Sequence, residues 1–252
     1  MRLEGRRIAV TGGSGGIGHL VTRRLLDLGG DVLLIGRTRP HDLPVSFLEG
    51  DLATETGINA VAAALRMQAP EILINLAGVQ YAGPLDSQNE ANVFATYLVN
   101  LVAPVRLTQA VLPHMLRRRC GQIVNVGSVL GSINFPYFVT YSSAKAGLRG
   151  FTEGLRRELR GAGVHVTYVA PRAVSTGMTR GAVERFAKVT GMRLDKPERT
   201  VAAIIKAMVN NRSSVVIGLP EALLTKLNSI APALVDLAVA GAAAKASRIF
   251  RS

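Results

Sequence analysis

The chain has 252 residues, 48% of them hydrophobic, and its 30 lysines and arginines against 17 acidic residues give a formal net charge of +13 at pH 7. A lone cysteine, Cys120, excludes an internal disulfide and fits a reducing cytosol, so a cytoplasmic location is expected. The four histidines (His19, His41, His114 and His165) show no metal-ligand spacing, and aromatics at 5% with no tryptophan and no nucleic-acid motif speak against a nucleic-acid partner.

Arg2, Glu4, Arg6 and Arg7 break up the N-terminus, so no secretory leader is expected. The apolar run 8–10 reads as a buried strand. The turn Thr11-Gly12-Gly13-Ser14-Gly15-Gly16-Ile17-Gly18 follows, and residues 19–28 then continue with helical periodicity. Strand, glycine turn and helix together are the setting of a dinucleotide fingerprint. Glycines let the backbone approach a pyrophosphate, and the helix start offers free N–H groups and a positive dipole end.

A second strand at 32–35 leads into Gly36-Arg37-Thr38-Arg39. No carboxylate stands there to hold a ribose 2′-hydroxyl, whereas the planar fork of Arg37 suits a 2′-phosphate. This predicts NADP; if Arg37 only stacks on adenine, both NADP and NAD are accepted. Further strands are predicted at 45–48, 72–76, 122–126, 164–169 and 215–217, and helices at 54–67, 90–118, 140–160 and 197–210. Near-continuous apolar strands alternating with helices imply a doubly wound parallel sheet covered on both faces. Asp51 and Leu52, Asn75 with Ala77 and Gly78, Ser128, and Pro171 with Val174 and Thr176 all follow strand ends, where such sheets bind ligands.

Tyr141 and Lys145 are four residues apart on a predicted helix and so share a face. A nearby cation favours a phenolate, so the pair predicts a tyrosine of lowered pKa that exchanges a proton with a substrate oxygen.

Together these motifs resemble the short-chain dehydrogenase/reductase family from about residue 5 to about residue 218. Thr11, Gly12, Gly16 and Gly18 match its T-G-x-x-x-G-x-G, Asp51 its adenine-contacting aspartate, and Asn75-Leu76-Ala77-Gly78 its N-N-A-G turn with Leu76 in place of the second Asn. Asn100, Ser128, Tyr141 and Lys145 match its catalytic tetrad, and residues 171–176 its P-G-x-V-x-T segment, with Arg172 where glycine is usual. The resemblance implies a Rossmann sheet of about seven strands. It implies Lys145 on the nicotinamide ribose, Tyr141 as proton donor or acceptor, Ser128 on the substrate oxygen, and Asn100 holding a relay water. It also implies a homodimer or homotetramer built through the helices at 90–118 and 140–160.

Residues 175–196 are expected to form a lid, with Met178, Val183, Phe186, Val189 and Met192 on its apolar face and Phe135, Pro136, Tyr137 and Phe138 as a facing wall. These lean toward a hydrophobic ketone or alcohol, although packing of the lid on the core accounts for them as well. The family part is expected over residues 1–218, and residues 219–252 form an apolar and basic helical extension. Packing or an oligomer contact is favoured for this extension over a peripheral membrane contact, because its cations are few. For the overall charge, a solvated surface ranks first, then a membrane or an acidic carrier. Two alternatives to free-lipid chemistry stay open: a 3-oxoacyl-carrier reductase, and a nucleotide-binding regulatory protein without turnover.

Overall fold

The structure, a computed structural model, describes residues 2–250. One parallel sheet of seven strands has the order β3-β2-β1-β4-β5-β6-β7. The strands are β1 Arg7–Thr11, β2 Asp31–Gly36, β3 Ser46–Glu49, β4 Ile72–Asn75, β5 Gly121–Val126, β6 Val164–Ala170 and β7 Ser214–Val216. Strands β4 and β5 are buried along their whole length, which is why they read as mainly apolar runs without alternation, with Asn75, Gln122 and Asn125 as buried polar interruptions. The chain order reverses between β1 and β4, and this opens a crevice at the carboxyl edge of the sheet.

Helices α1 (Gly16–Asp27) and α7 (Pro197–Val209) cover one face, with Val21, Leu25, Ile204 and Met208 buried against Ile8, Val10 and Ile74. Helices α2 (Glu55–Gln68), α4 (Ala103–Arg118) and α5 (Val139–Glu158) cover the other, with Ile58, Leu65, Leu107, Val111 and Leu155 against Leu73 and Ile123. The doubly wound α/β sheet expected from the sequence is therefore present.

Helix α1 starts three residues earlier than predicted, so Gly16 and Gly18 belong to its first turn. The predicted helix 90–118 is also corrected: α3 (Glu90–Tyr97) and α4 are joined by a π-helical turn over Leu98–Val102. Pro104 lacks the N–H that would bond the carbonyl of residue 100, and its ring crowds that carbonyl. The side chain of Asn100 meanwhile donates to the Thr96 carbonyl at 2.8 Å, inside the turn above. A wide turn at this point accommodates both.

The lid contains α6 (Ala182–Thr190), and the extension is two helices, α8 (Leu219–Ile230) and α9 (Pro232–Phe250). Helix α9 packs on the lid: Phe250 stacks on Tyr137 at 4.9 Å between ring centroids, and Ala246 is buried with Phe138, Val183 and Phe186. Val235 packs with Val129 and Ile133, and the Asn228 amide donates to the Ser132 carbonyl at 2.8 Å. The extension thus packs on this chain, yet Leu219, Leu223, Ile230, Leu234 and Leu237 remain exposed.

Candidate active site

The loops at the carboxyl edge enclose a cavity of about 810 Å³. Its floor is the glycine turn. Gly12 has φ +70°, and a Cβ there would sit 2.6 Å from the Ala77 Cα, so no side chain fits between β1 and the turn after β4. A Cβ on Gly18 would collide with the Gly12 carbonyl, which lets α1 start directly beneath the cavity. Gly15 caps α1 without a side-chain bond and no acidic residue lies in its first turn, so the N–H groups there are available to an anion.

Of the sequence-predicted residues, Gly12, Ser14, Gly16, Ile17, Gly18, Arg37, Asp51, Leu52, Ala77, Gly78, Ser128, Tyr141, Lys145, Pro171, Val174 and Thr176 line this one cavity. Thr11, Asn75 and Asn100 stand behind its wall. The Thr11 hydroxyl accepts from the Leu76 and Ala77 N–H groups, both at 3.1 Å, and so holds the β4 turn against β1. The Asn75 amide donates to Asn125 Oδ1 at 2.8 Å, and the Asn125 amide donates to Thr152 Oγ1 at 2.9 Å. That buried chain ties β4 and β5 to α5, the helix that carries Tyr141 and Lys145.

Tyr141 is 8% exposed and Lys145 3%. The Lys145 ammonium donates to the Val126 carbonyl at 3.0 Å and lies 5.8 Å from the centroid of the Tyr141 ring. The expectation of a lowered tyrosine pKa is corrected here. Burial pushes the Tyr141 phenol up to about 12, against a smaller opposing effect of hydrogen bonding with Ser128. Burial likewise brings the Lys145 ammonium down to about 8. The cost of burying a charge dominates both groups, so at neutral pH the phenol is protonated. Asn100 donates to the Val79 carbonyl at 2.8 Å, while its buried Oδ1 has no hydrogen-bond partner among the described residues. A Cβ on Gly78 would sit 3.0 Å from that oxygen and 3.7 Å from Lys145 Nζ, so both face the space above Gly78.

Met178, Val183, Met192 and Phe138 contribute the apolar end of the cavity, whereas Phe186 is fully buried behind them and Val189 faces solvent. The apolar residues of segment 175–196 thus divide between cavity lining and packing. The Ser128 hydroxyl accepts from the Leu130 N–H at 3.1 Å, and Tyr168 donates to the Ser128 carbonyl at 3.4 Å from the buried side. Tyr168 and Asn125 escaped the sequence reading. Their only signal was a polar side chain inside a strand buried on both faces.

Arg172 does not block the cavity. Its Nε lies 3.0 Å from Asp195 Oδ2, a second nitrogen pairs with Asp195 Oδ1, and Nη1 lies 3.1 Å from Glu221 Oε1. The two carboxylates hold the guanidinium above its usual range, and the guanidinium in turn holds the Asp195 carboxyl below its own.

A parallel sheet with a glycine-floored crevice, lined also by a buried Tyr–Lys pair, defines a dinucleotide-type fold. Residues 6–186 match the short chain dehydrogenase family, and the chain belongs to that family. It is 32% identical to the 3-oxoacyl-[acyl-carrier-protein] reductase FabG of Thermotoga maritima, over 86% of this chain and 96% of that one. It is 30% identical to the ketoacyl reductase HetN of Nostoc sp., over 85% and 79% respectively. Among solved structures it superposes on a short-chain dehydrogenase from Sphingobium yanoikuyae in complex with NADPH. The TM-score is 0.79 at 26% identity, covering 92% of this chain and 95% of that one. A short chain dehydrogenase from Burkholderia cenocepacia in complex with NADP shares the fold at a TM-score of 0.81 and 24% identity, over 95% and 99%.

Proposed function

We infer that the protein is an NAD(P)-dependent oxidoreductase interconverting a carbonyl and a secondary alcohol, and that it works as an NADPH-dependent reductase of a hydrophobic substrate. The observation that carries this reading is a protonated, buried Tyr141 beside Ser128 and Lys145, in the same cavity as the glycine turn. The residues fit a dinucleotide: Gly12 and Gly16 leave backbone room for its phosphates, the start of α1 offers N–H groups to them, and Arg37 and Asp51 lie where its adenosine end would rest. The nicotinamide supplies the hydride.

The chain's own residues supply the proton and the geometry. Ser128 orients the substrate oxygen, and Tyr141 gives it a proton in reduction or takes one in oxidation. Lys145, still largely charged at neutral pH, steadies the phenolate left behind, and the unpartnered Asn100 Oδ1 is placed to hold a water that returns a proton toward Lys145. Met178, Val183, Met192 and Phe138 favour an apolar substrate. The test is fluorescence titration with NADPH and NADH, followed by a hydrophobic ketone panel with the preferred cofactor. Failure to bind either overturns the reading.

A carrier-bound 3-oxoacyl substrate is the second reading. The +13 charge and the reductases of that class among the relatives favour it. A KM that rises with salt for the carrier-bound substrate, and not for a free ketone, separates the two.

A further inference from the structure

We propose that the outward face of α8 and α9 docks the protein on an anionic bilayer surface and sets the mouth of the cavity against it. Exposed side chains alone do not make such a face, but four observations converge here.

The first is pattern. Leu219, Leu223 and Ile230 recur on the solvent side of α8, and each is at least 70% exposed. On α9 the inner side holds Val235 and Ala246 against the lid and core, while Leu234, Leu237, Gly241 and Ala244 run along the outer side without a charge. An apolar stripe this large on the surface of a soluble chain marks a contact site.

The second is charge. Exposed Lys226 sits between Leu223 and Ile230 on α8, and exposed Lys245 ends the apolar stripe of α9, with Asp236 at its flank. Glu221 is engaged with Arg172. Cations bordering an apolar row suit acyl chains below and acidic headgroups beside them. The third observation argues against a second copy as the occupant. An isologous contact would set this cation-bordered face against the same face of another chain at +13, placing like charges across the interface. The stripe is also too short to span a bilayer, so it lies on the surface.

The fourth is continuity. Pro220 and Glu221 line the cavity, and Leu219 and Leu223 flank them on the same helix. Met178, at the cavity's apolar end, is 46% exposed. The α8 stripe therefore adjoins the cavity at Pro220, so docking would set the entrance beside the bilayer from which a lipid-like ketone would enter. This delivery role rests on the hydrophobic-substrate reading; binding to the bilayer does not.

The experiment is co-sedimentation of the full chain with vesicles of phosphatidylcholine alone and of phosphatidylcholine mixed with phosphatidylglycerol. Binding to the anionic vesicles is expected to exceed binding to the neutral ones. Leu223→Ser/Leu237→Ser should lower it by about tenfold, and Lys226→Gln and Lys245→Gln by roughly fivefold each. Both leucines are exposed and outside the cavity, so turnover of a water-soluble ketone should stay unchanged in the double variant. Absence of vesicle binding overturns the proposal, as does binding that the leucine and lysine variants leave intact. An oligomer that the leucine variant dissociates, with no vesicle binding by the wild type, overturns it in favour of a second copy. Pelleting reads out docking without turnover, so a failed ketone panel cannot be mistaken for failed docking.

Discussion

Arg172 Nη1 lies 3.1 Å from Glu221 Oε1 while the same guanidinium grips Asp195 from its other edge. Three segments meet at one side chain: the loop after β6, the end of the lid, and the first turn of the extension. Main-chain bonds reinforce the join, with Ser175 N–H to the Asp195 carbonyl at 3.0 Å and Asp195 N–H to the Ala173 carbonyl at 2.9 Å. Glycine, the usual residue here in the family, could not make this tie.

Arg172→Gly should therefore loosen the lid instead of restoring activity. It leaves Asp195, 6% exposed, without its main counter-charge. Removing one partner of a fully buried pair costs several kcal/mol; with Arg172 and Glu221 partly exposed, about 2 kcal/mol is expected, a fall of roughly 4–8 °C in Tm. KM should rise more than kcat falls. Because the folded-state Asp195 carboxyl is depressed, this stabilisation is present above its unfolded pKa and is lost as pH falls through its folded value. The difference in Tm between wild type and variant should accordingly shrink in acid. Equal Tm values at neutral pH would contradict the tie.

Tyr141→Phe removes the donated proton and little else, since the ring stays packed. Turnover should fall by about two to four orders of magnitude, with NADPH affinity unchanged by fluorescence titration. Unchanged turnover would return the nucleotide-binding regulatory alternative to first place.

Arg37→Asp should reverse cofactor preference. Arg37 is exposed at the end of β2 and its guanidinium is free to approach a 2′-phosphate. Its replacement is expected to weaken NADPH binding by at least about tenfold while sparing or improving NADH.

The buried pair predicts an alkaline stability profile. Folding lowers the Lys145 pKa from 10.5 to about 8, so between those values the unfolded chain holds a proton that the folded one has released, and stability rises with pH. Tyr141 and Tyr168 have the opposite sign. Their folded values near 12 exceed the ordinary 10.0, so the stability they confer is present below pH 10 and is lost as pH climbs toward 12. Urea unfolding of wild type and Lys145→Met should differ in slope between pH 8 and pH 10. Parallel curves would show that Lys145 is not buried as a cation.

The sheet was legible because its central strands are buried on both faces and its helices carry an amphipathic period, both local properties. The glycine turn and the Tyr–Lys spacing were legible for the same reason. What escaped was non-local. Nothing near Arg172 points to Asp195 or Glu221, which lie 23 and 49 positions away. The break at Asn100 depends on Pro104 and on a side chain reaching the turn above, and periodicity alone smooths over both. The Tyr141 shift was misjudged in sign because spacing reveals a neighbouring cation but not how deeply both groups are buried.

The stacking of Phe250 on Tyr137, with Phe138 and Phe186 packed alongside, has a consequence for how this chain can diversify. The back of the cavity's apolar end is furnished in part by α6 and α9, which lie apart from the glycine turn. Substitutions in α9 can reshape what the cavity accepts while the glycine turn, Tyr141 and Lys145 stay as they are. If the cavity's apolar end selects the substrate, the α9 part of its backing can drift with little effect on the glycine turn, whereas Tyr137 and Phe138, directly before Tyr141, cannot.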